Sequence, residues 1–205
     1  MISNNYCCDM KKVVFVLTYF LFNVFSAEIS KKPDVPYYWR DYTGFIPSDA
    51  IPGGLDLNHE TTYIGQGFVG NVGIIPGIIY PGQREIYVPE HGVKKVDTYV
   101  KILCSPYKNA FRWHPVTASD FQVKTIGKYL VKGGVEMNNL LNIGRIAFQG
   151  EVVTGKIVTN SPDFPDTAPM FFVLKNQERE TRQYEVLIYD DLLNVVNVRS
   201  NSITK

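Results

Sequence analysis

Pro52-Gly53-Gly54-Leu55-Asp56, followed by Tyr63-Ile64-Gly65 and Ile75-Pro76-Gly77-Ile78, returns later in the chain. The second run reads Lys132-Gly133-Gly134-Val135-Glu136, Asn142-Ile143-Gly144 and Val153-Thr154-Gly155-Lys156. Matching glycines lie 80, 79 and 78 residues apart (Gly53 to Gly133, Gly65 to Gly144, Gly77 to Gly155), so two single-residue deletions separate the runs. Each run closes on a strand-like signature, Val100-Lys101-Ile102-Leu103 in the first and Tyr184-Glu185-Val186-Leu187 in the second. A supersecondary unit used twice at this period is expected where one copy alone cannot close its own core.

Outward from these runs the chain reads as strands. Short β-branched and aromatic segments recur between Gly, Pro, Asn and Asp: Glu85 to Val88, Thr98 to Leu103, Gln122 to Ile126, Leu141 to Phe148 and Gly150 to Val158. Met170 to Leu174, Thr181 to Tyr189 and Val195 to Arg199 continue the series. Pro47, Pro52, Pro76, Pro81 and Pro89 punctuate the first half, where a helix would lose its hydrogen bonds. The expected fold is all-β: two tandem repeats related by a pseudo-two-fold axis and forming one compact antiparallel β-domain.

The beginning of the chain reads as an address. Lys11 and Lys12 precede an apolar run of 13 residues, Val13 to Phe25, and then the small residues Ser26 and Ala27. That order is the one a secretory signal peptide needs, here residues 1–26, and the run is too short to span a bilayer comfortably. The expectation is a secreted, extracellular protein with no membrane span, its domain occupying residues 27–205. Removing residues 1–26 leaves 19 basic residues (21 less Lys11 and Lys12) and 19 acidic ones (20 less Asp9). A charge of zero gives no electrostatic case for nucleic acid. Cys7 and Cys8 leave as well, so Cys104 has no partner within the monomer and is expected as a buried free thiol. Oligomeric state is left open. No Asn-x-Ser/Thr acceptor occurs, so no N-linked glycan is expected.

Catalytic patterns are missing. Gly65-Gln66-Gly67-Phe68-Val69-Gly70 fits a dinucleotide fingerprint, but Asn71 to Gly77 cannot continue as the required helix, and the plain reading is turn glycine. His59, His91 and His114 are widely separated, there is no Gly-x-Ser-x-Gly elbow, and Asp163, Asp166, Asp190 and Asp191 lie in turn-like stretches. A non-enzymatic protein without cofactor or metal is expected.

The ordered elements resemble the DM-nine repeat family, invertebrate proteins related to the lectin-like module of natterin toxins. The first run supplies Trp39, Pro47 to Asp56 with its Gly-Gly-acidic ending, Tyr63-Ile64-Gly65 and Pro76-Gly77. The second supplies Trp113, Gly133-Gly134-Val135-Glu136, Ile143-Gly144-Arg145-Ile146-Ala147, Gly155-Lys156 and Tyr184 to Leu187. The resemblance covers about residues 37–190, with repeat one at about 37–106 and repeat two at about 107–190. It implies mannose-type lectin behaviour, with a glycan or glycoprotein as partner, a microbial surface included. The family's acidic residue and lysine fall on Glu136 and Lys156 in the second run. In the first run Asp56 matches but Ile78 stands where the lysine would be. Paired carboxylate and ammonium groups suit a vicinal diol, one accepting from hydroxyls and the other donating to them. Thr154 and Asn142 replace the family's proline and tyrosine in the second run. A secreted effector of salivary or venom type that binds a protein on the same scaffold is the alternative. Trp39, Tyr37, Tyr38 and Trp113 are readable either as core edges or as stacking platforms for a sugar.

Overall fold

A computed structural model describes residues 35–190, and the expected signal segment 1–26 and the strand-like Val195 to Arg199 lie outside the described residues. The first run and its flanks form β1 (Tyr38–Asp41), β2 (Pro52–Leu55), β3 (Thr61–Val69), β4 (Gly73–Ile79), β5 (Ile86–Pro89), β6 (Val93–Val96) and β7 (Lys101–Cys104). After β8 (Phe111–Thr117) comes one short helix, α1 (Phe121–Lys124), then β9 (Tyr129–Leu130), β10 (Lys132–Glu136) and β11 (Asn139–Phe148). The rest is β12 (Glu151–Ile157), β13 (Met170–Leu174), β14 (Gln177–Thr181) and β15 (Gln183–Tyr189). Every strand pairing is antiparallel, and the domain is all-β apart from that helix and a turn of 3-10 helix at Lys108–Ala110. No helix among the described residues is long and apolar enough to cross a membrane.

The pairings close on themselves. β3 pairs with β2, β2 with β12, β12 with β11, β11 with β10, β10 with β4, and β4 with β3 again. The ring is therefore two blocks of three strands, β4–β3–β2 from the first run and β12–β11–β10 from the second, held by two cross-run joints, Leu55 opposite Val152 and Val135 opposite Ile74. Within each run the register matches: Gly65 faces Gly77 and Ile102, while Gly144 faces Gly155 and Val186. The Gly-Gly pair sits at a bulge in both, between Pro52 and Gly54 and between Lys132 and Gly134. A bulge re-aims the strand that carries it.

The glycines are at these places because backbone approaches them. A Cβ on Gly54 would stand 1.8 Å from the Val152 carbonyl oxygen, and one on Gly134 would stand 1.9 Å from that of Ile74. These carbonyls belong to the cross-run joints, so the Gly-Gly element is what lets the ring close. Gly65 and Gly67 correct the reading of the dinucleotide-like segment as turn glycines. Both lie inside β3, where a Cβ would meet Ile79 at 2.8 Å and Val96 at 2.7 Å.

Between the runs, each contributes the same three positions to one apolar cluster: Ile51 with Val131, Ile64 with Ile143, and Leu103 with Leu187. Burying side chains of this kind is worth roughly 1.5–3 kcal/mol each before entropy is counted. Tyr37, Trp39, Phe111, Trp113 and Tyr189 pack around this cluster, so Tyr37 and Trp39 are core edges. Two further clusters lie beyond it, one around Ile79, Ile86, Val88 and Ile102, the other around Ile157, Met170, Phe172 and Val186.

Two strand expectations fail locally. Gln122 to Ile126 is not a strand, since Phe121–Lys124 is α1. Asp120 Oδ1 accepts from the Thr117 amide at 2.6 Å, and Thr125 Oγ1 donates back to the Phe121 carbonyl at 2.7 Å. Only Phe121 is buried there, while Val123 is 72% exposed, so no sheet face rewards the β-branched residues. Thr98 to Val100 also lies outside β7, because Tyr99 adopts φ +55°, a left-handed turn conformation.

Cys104 is free and fully buried at the end of β7, and burial first, then Asp49, pushes its thiol up to about 11. It should therefore resist a thiol reagent in the folded protein at pH 8 and react once the chain is unfolded. Rapid labelling of native protein would contradict that placement.

Candidate functional site

Glu136 ends β10 and Lys156 lies in β12, and the ring brings them together. Lys156 Nζ donates to both oxygens of Glu136, at 2.7 and 2.9 Å. A third residue completes the group. Glu90, just after β5 of the first run, accepts from Lys156 Nζ at 3.0 Å and from His91 Nδ1 at 2.8 Å. Glu90 and Lys156 are 3% and 4% exposed, while His91 is open to solvent. The ammonium thus spends its three protons on two carboxylates.

The electrostatics follow from this crowding. Burial raises Glu136, the hydrogen-bonded Glu90 carboxyl raises it further, and Lys156 offsets only part of that. For Glu90, burial also acts upward, but hydrogen bonds from Glu136, His91 and Lys156 outweigh it and bring it down to about 2. The pair shares one cation and one region of low dielectric, so its two carboxyls are pushed apart in acidity.

Glu136 and Lys156 form the floor of a cleft of about 990 Å³. His91, Gly92 and Val93 wall it from the β5–β6 hairpin, and Asn176 to Glu180 wall it from the β13–β14 hairpin. Phe164 and Phe171 line one side as a tilted pair with centroids 5.8 Å apart, and the Lys156 ammonium lies 5.8 Å from the Phe171 ring centre. Both runs build this cleft.

Asp56 is elsewhere. Its Oδ1 accepts from the amides of Asn58 and Glu60, each at 2.8 Å, capping the turn between β2 and β3. Ile78, the residue in register with the place of Lys156, is buried in the core and borders a smaller cleft of about 420 Å³ with Tyr80, Tyr87, Val173, Lys175 and Asn176. Tyr80 is pushed up to about 12 by burial first and by Glu151, whose Oε2 accepts from its hydroxyl at 3.5 Å. The charged pair is gone from that cleft.

Glu90 is the residue that sequence reading missed. Ile78 pairs with Tyr87 and Lys156 with Phe171, so three residues on from each partner Glu90 corresponds to Leu174. The repeat pattern therefore pointed to an apolar side chain there. An unusual acid after a strand, in Val88-Pro89-Glu90-His91-Gly92, was the only available signal.

Trp113 offers no open face on one side, because the Arg145 guanidinium lies 4.5 Å from its ring centre and is itself held by Glu185 at 2.6 Å. That stack lines a separate cleft of about 640 Å³ with the Gly53-Gly54 bulge. Among the described residues no group of three His, Cys, Asp or Glu side chains is placed to hold a metal ion.

No family model and no curated protein sequence matches the chain. Among solved structures it is similar to the nematode sperm cell motility protein MFP2B, at 10% identity with a TM-score of 0.49, over 75% of this chain. The chain spans 44% of the length of that structure, and the likeness is too distant to carry function.

Proposed function

We propose that this is a secreted, non-enzymatic carbohydrate-binding protein of DM-nine type, built from two repeats, whose working site is the Glu136–Lys156 cleft. One observation carries the reading: the acidic residue and the lysine singled out by the resemblance, 20 residues apart, meet at the floor of a large cleft with an aromatic wall. Clefts of this kind, with few convergent polar groups and apolar walls, suit small ligands. Glu136, bonded to Lys156 and to the Glu90 carboxyl, has lone-pair capacity left for a sugar hydroxyl, since a carboxyl group offers about four acceptor sites.

The test is titration of the mature protein with mannose-type and related oligosaccharides. Glu136→Gln should weaken binding by about 1–3 kcal/mol, the usual loss for a hydrogen bond to a charged group. Asp56→Asn should leave affinity unchanged, because that carboxylate caps a turn outside the cleft. Equal loss from both variants would move the site away from Glu136.

A second reading has its own support. Phe68 pairs with Ile74, Ile74 with Val135 and Val135 with Leu140, making an apolar row across four strands. Phe68 and Leu140 at its ends are 55% and 56% exposed. Such a row suits a protein partner, the effector role. Binding of a protein that survives Glu136→Gln but fails with Phe68→Ser would favour it.

A further inference from the structure

We propose that the cleft selects an amine-bearing sugar, a glycan of glucosamine type with free ammonium groups, over neutral and anionic ones. The proposal rests on the carbohydrate reading of this same cleft and adds the ligand's charge.

The reason begins with Lys156. Its protons are committed to Glu136 and Glu90, so the cation at the floor has no donor left for a ligand. What faces an incoming group is an excess of carboxylates over cations. Glu136, Asp163, Glu178 and Glu180 line the cleft against Lys156 and Arg179, and Glu90 adds a fifth carboxylate behind the floor. Arg179 offsets one of them: it donates to the neutral Gln177 amide at 2.8 Å, its guanidinium lies 5.7 Å from the Phe148 ring centre, and its buried Nε is without a hydrogen-bond partner, so carboxylates still outnumber cations. Glu180 is shared with Arg182 at 3.2 Å on the exposed rim, and Glu178 accepts from the Gly92 amide. Asp163 is exposed, and its amide donates to Ser161 Oγ at 3.3 Å.

A cleft lined by one sign of charge with apolar walls concentrates ligands of the opposite sign. Here the wall is Phe164 and Phe171, and an aromatic face attracts an ammonium as well as the apolar face of a pyranose ring. An ammonium on the sugar can donate to Glu136 and the rim carboxylates with charge assistance, where a neutral hydroxyl supplies one proton and no charge. A uronic acid, sulfate or phosphate would meet the same carboxylates as like charges.

The experiment is calorimetric titration of the full mature protein with three trisaccharides of equal length: glucosamine, N-acetylglucosamine and glucose. The glucosamine form should bind about tenfold or more tightly than the other two, and its advantage should shrink at high salt. Asp163→Asn with Glu180→Gln changes only exposed rim charges, so it should cost about threefold to tenfold in affinity for the glucosamine form alone. Glu136→Gln should weaken all three. Equal affinities for the three sugars, or tighter binding of the acetylated one, would overturn the amine preference and leave the carbohydrate reading standing. Competition by a lysine oligopeptide as strong as by the glucosamine trisaccharide would also overturn it, since charge alone would then be recognised. Binding of no sugar at all would remove both readings.

Discussion

Gly134→Ala should destabilise the domain by about 3 kcal/mol or more, well beyond the usual cost of one added methyl group in a core. The added Cβ would stand 1.9 Å from the Ile74 carbonyl oxygen and 2.8 Å from its carbon, so backbone and not a flexible side chain must move. Ile74 belongs to the joint between β10 and β4, where Val135 stands opposite Ile74 and Glu136 opposite Gly73, and the Met137 amide donates to the Val72 carbonyl at 3.0 Å. Displacing that joint also displaces Glu136. Gly134→Ala should therefore lower the melting temperature and weaken sugar binding together. Gly54→Ala, whose Cβ would meet the Val152 carbonyl at the other joint, should destabilise as much but spare the cleft. Gly70→Ala is the control, because no atom lies within 4 Å of its Cβ position and its backbone is not left-handed. Thermal unfolding of the three variants checks this; a Gly134→Ala variant as stable as Gly70→Ala would mean the joint yields without cost.

These glycines show why the architecture was legible. A position that needs the absence of a side chain leaves a letter that nothing else can replace, and the ring needs it at matching places in both runs. The apolar cluster between the runs follows the same spacing, since Ile64 and Ile143 sit one residue before the matching glycines. Reading failed where tertiary context outweighed local pattern. Gln122 to Ile126 has the β-branched residues of a strand, but with Val123 and Ile126 exposed there is no sheet face to bury them. Glu136 and Lys156 could be singled out because the resemblance names their residue types. Glu90 could not, because it comes from the other run and the matching position holds Leu174. The same holds for the charge balance of the cleft, which depends on two hairpins that sequence order does not place together.

Lys156→Met should cost about 3–5 kcal/mol of stability at pH 7, the usual penalty for removing one partner of a buried ion pair. Glu90, 3% exposed, would be left facing Glu136 without the cation between them. The loss should depend on pH, with a sign fixed by the carboxyls. In the native protein Glu90 sits at about 2 against an ordinary 4.5, so its contribution is present above about 4.5 and is lost as pH falls toward 2. Glu136 is raised and opposes folding above its ordinary range, which takes back part of that gain. Without Lys156 both carboxyls can be relieved only by taking up protons. The difference in melting temperature between Lys156→Met and the native protein should therefore be largest near pH 7 and clearly smaller near pH 4. An equal deficit at both would mean the loss comes from packing and not from charge. The other cleft suggests how to separate stability from binding, since Ile78 and Leu174 occupy the places that Lys156 and Glu90 hold here. Lys156→Ile with Glu90→Leu and Glu136→Gln removes all three charges at once, and replacing a whole buried ionic group with apolar residues is often neutral or stabilising. That triple variant should fold at least as stably as Lys156→Met and bind no sugar. If it is stable and still binds, the triad holds the runs together and the ligand is recognised elsewhere in the cleft.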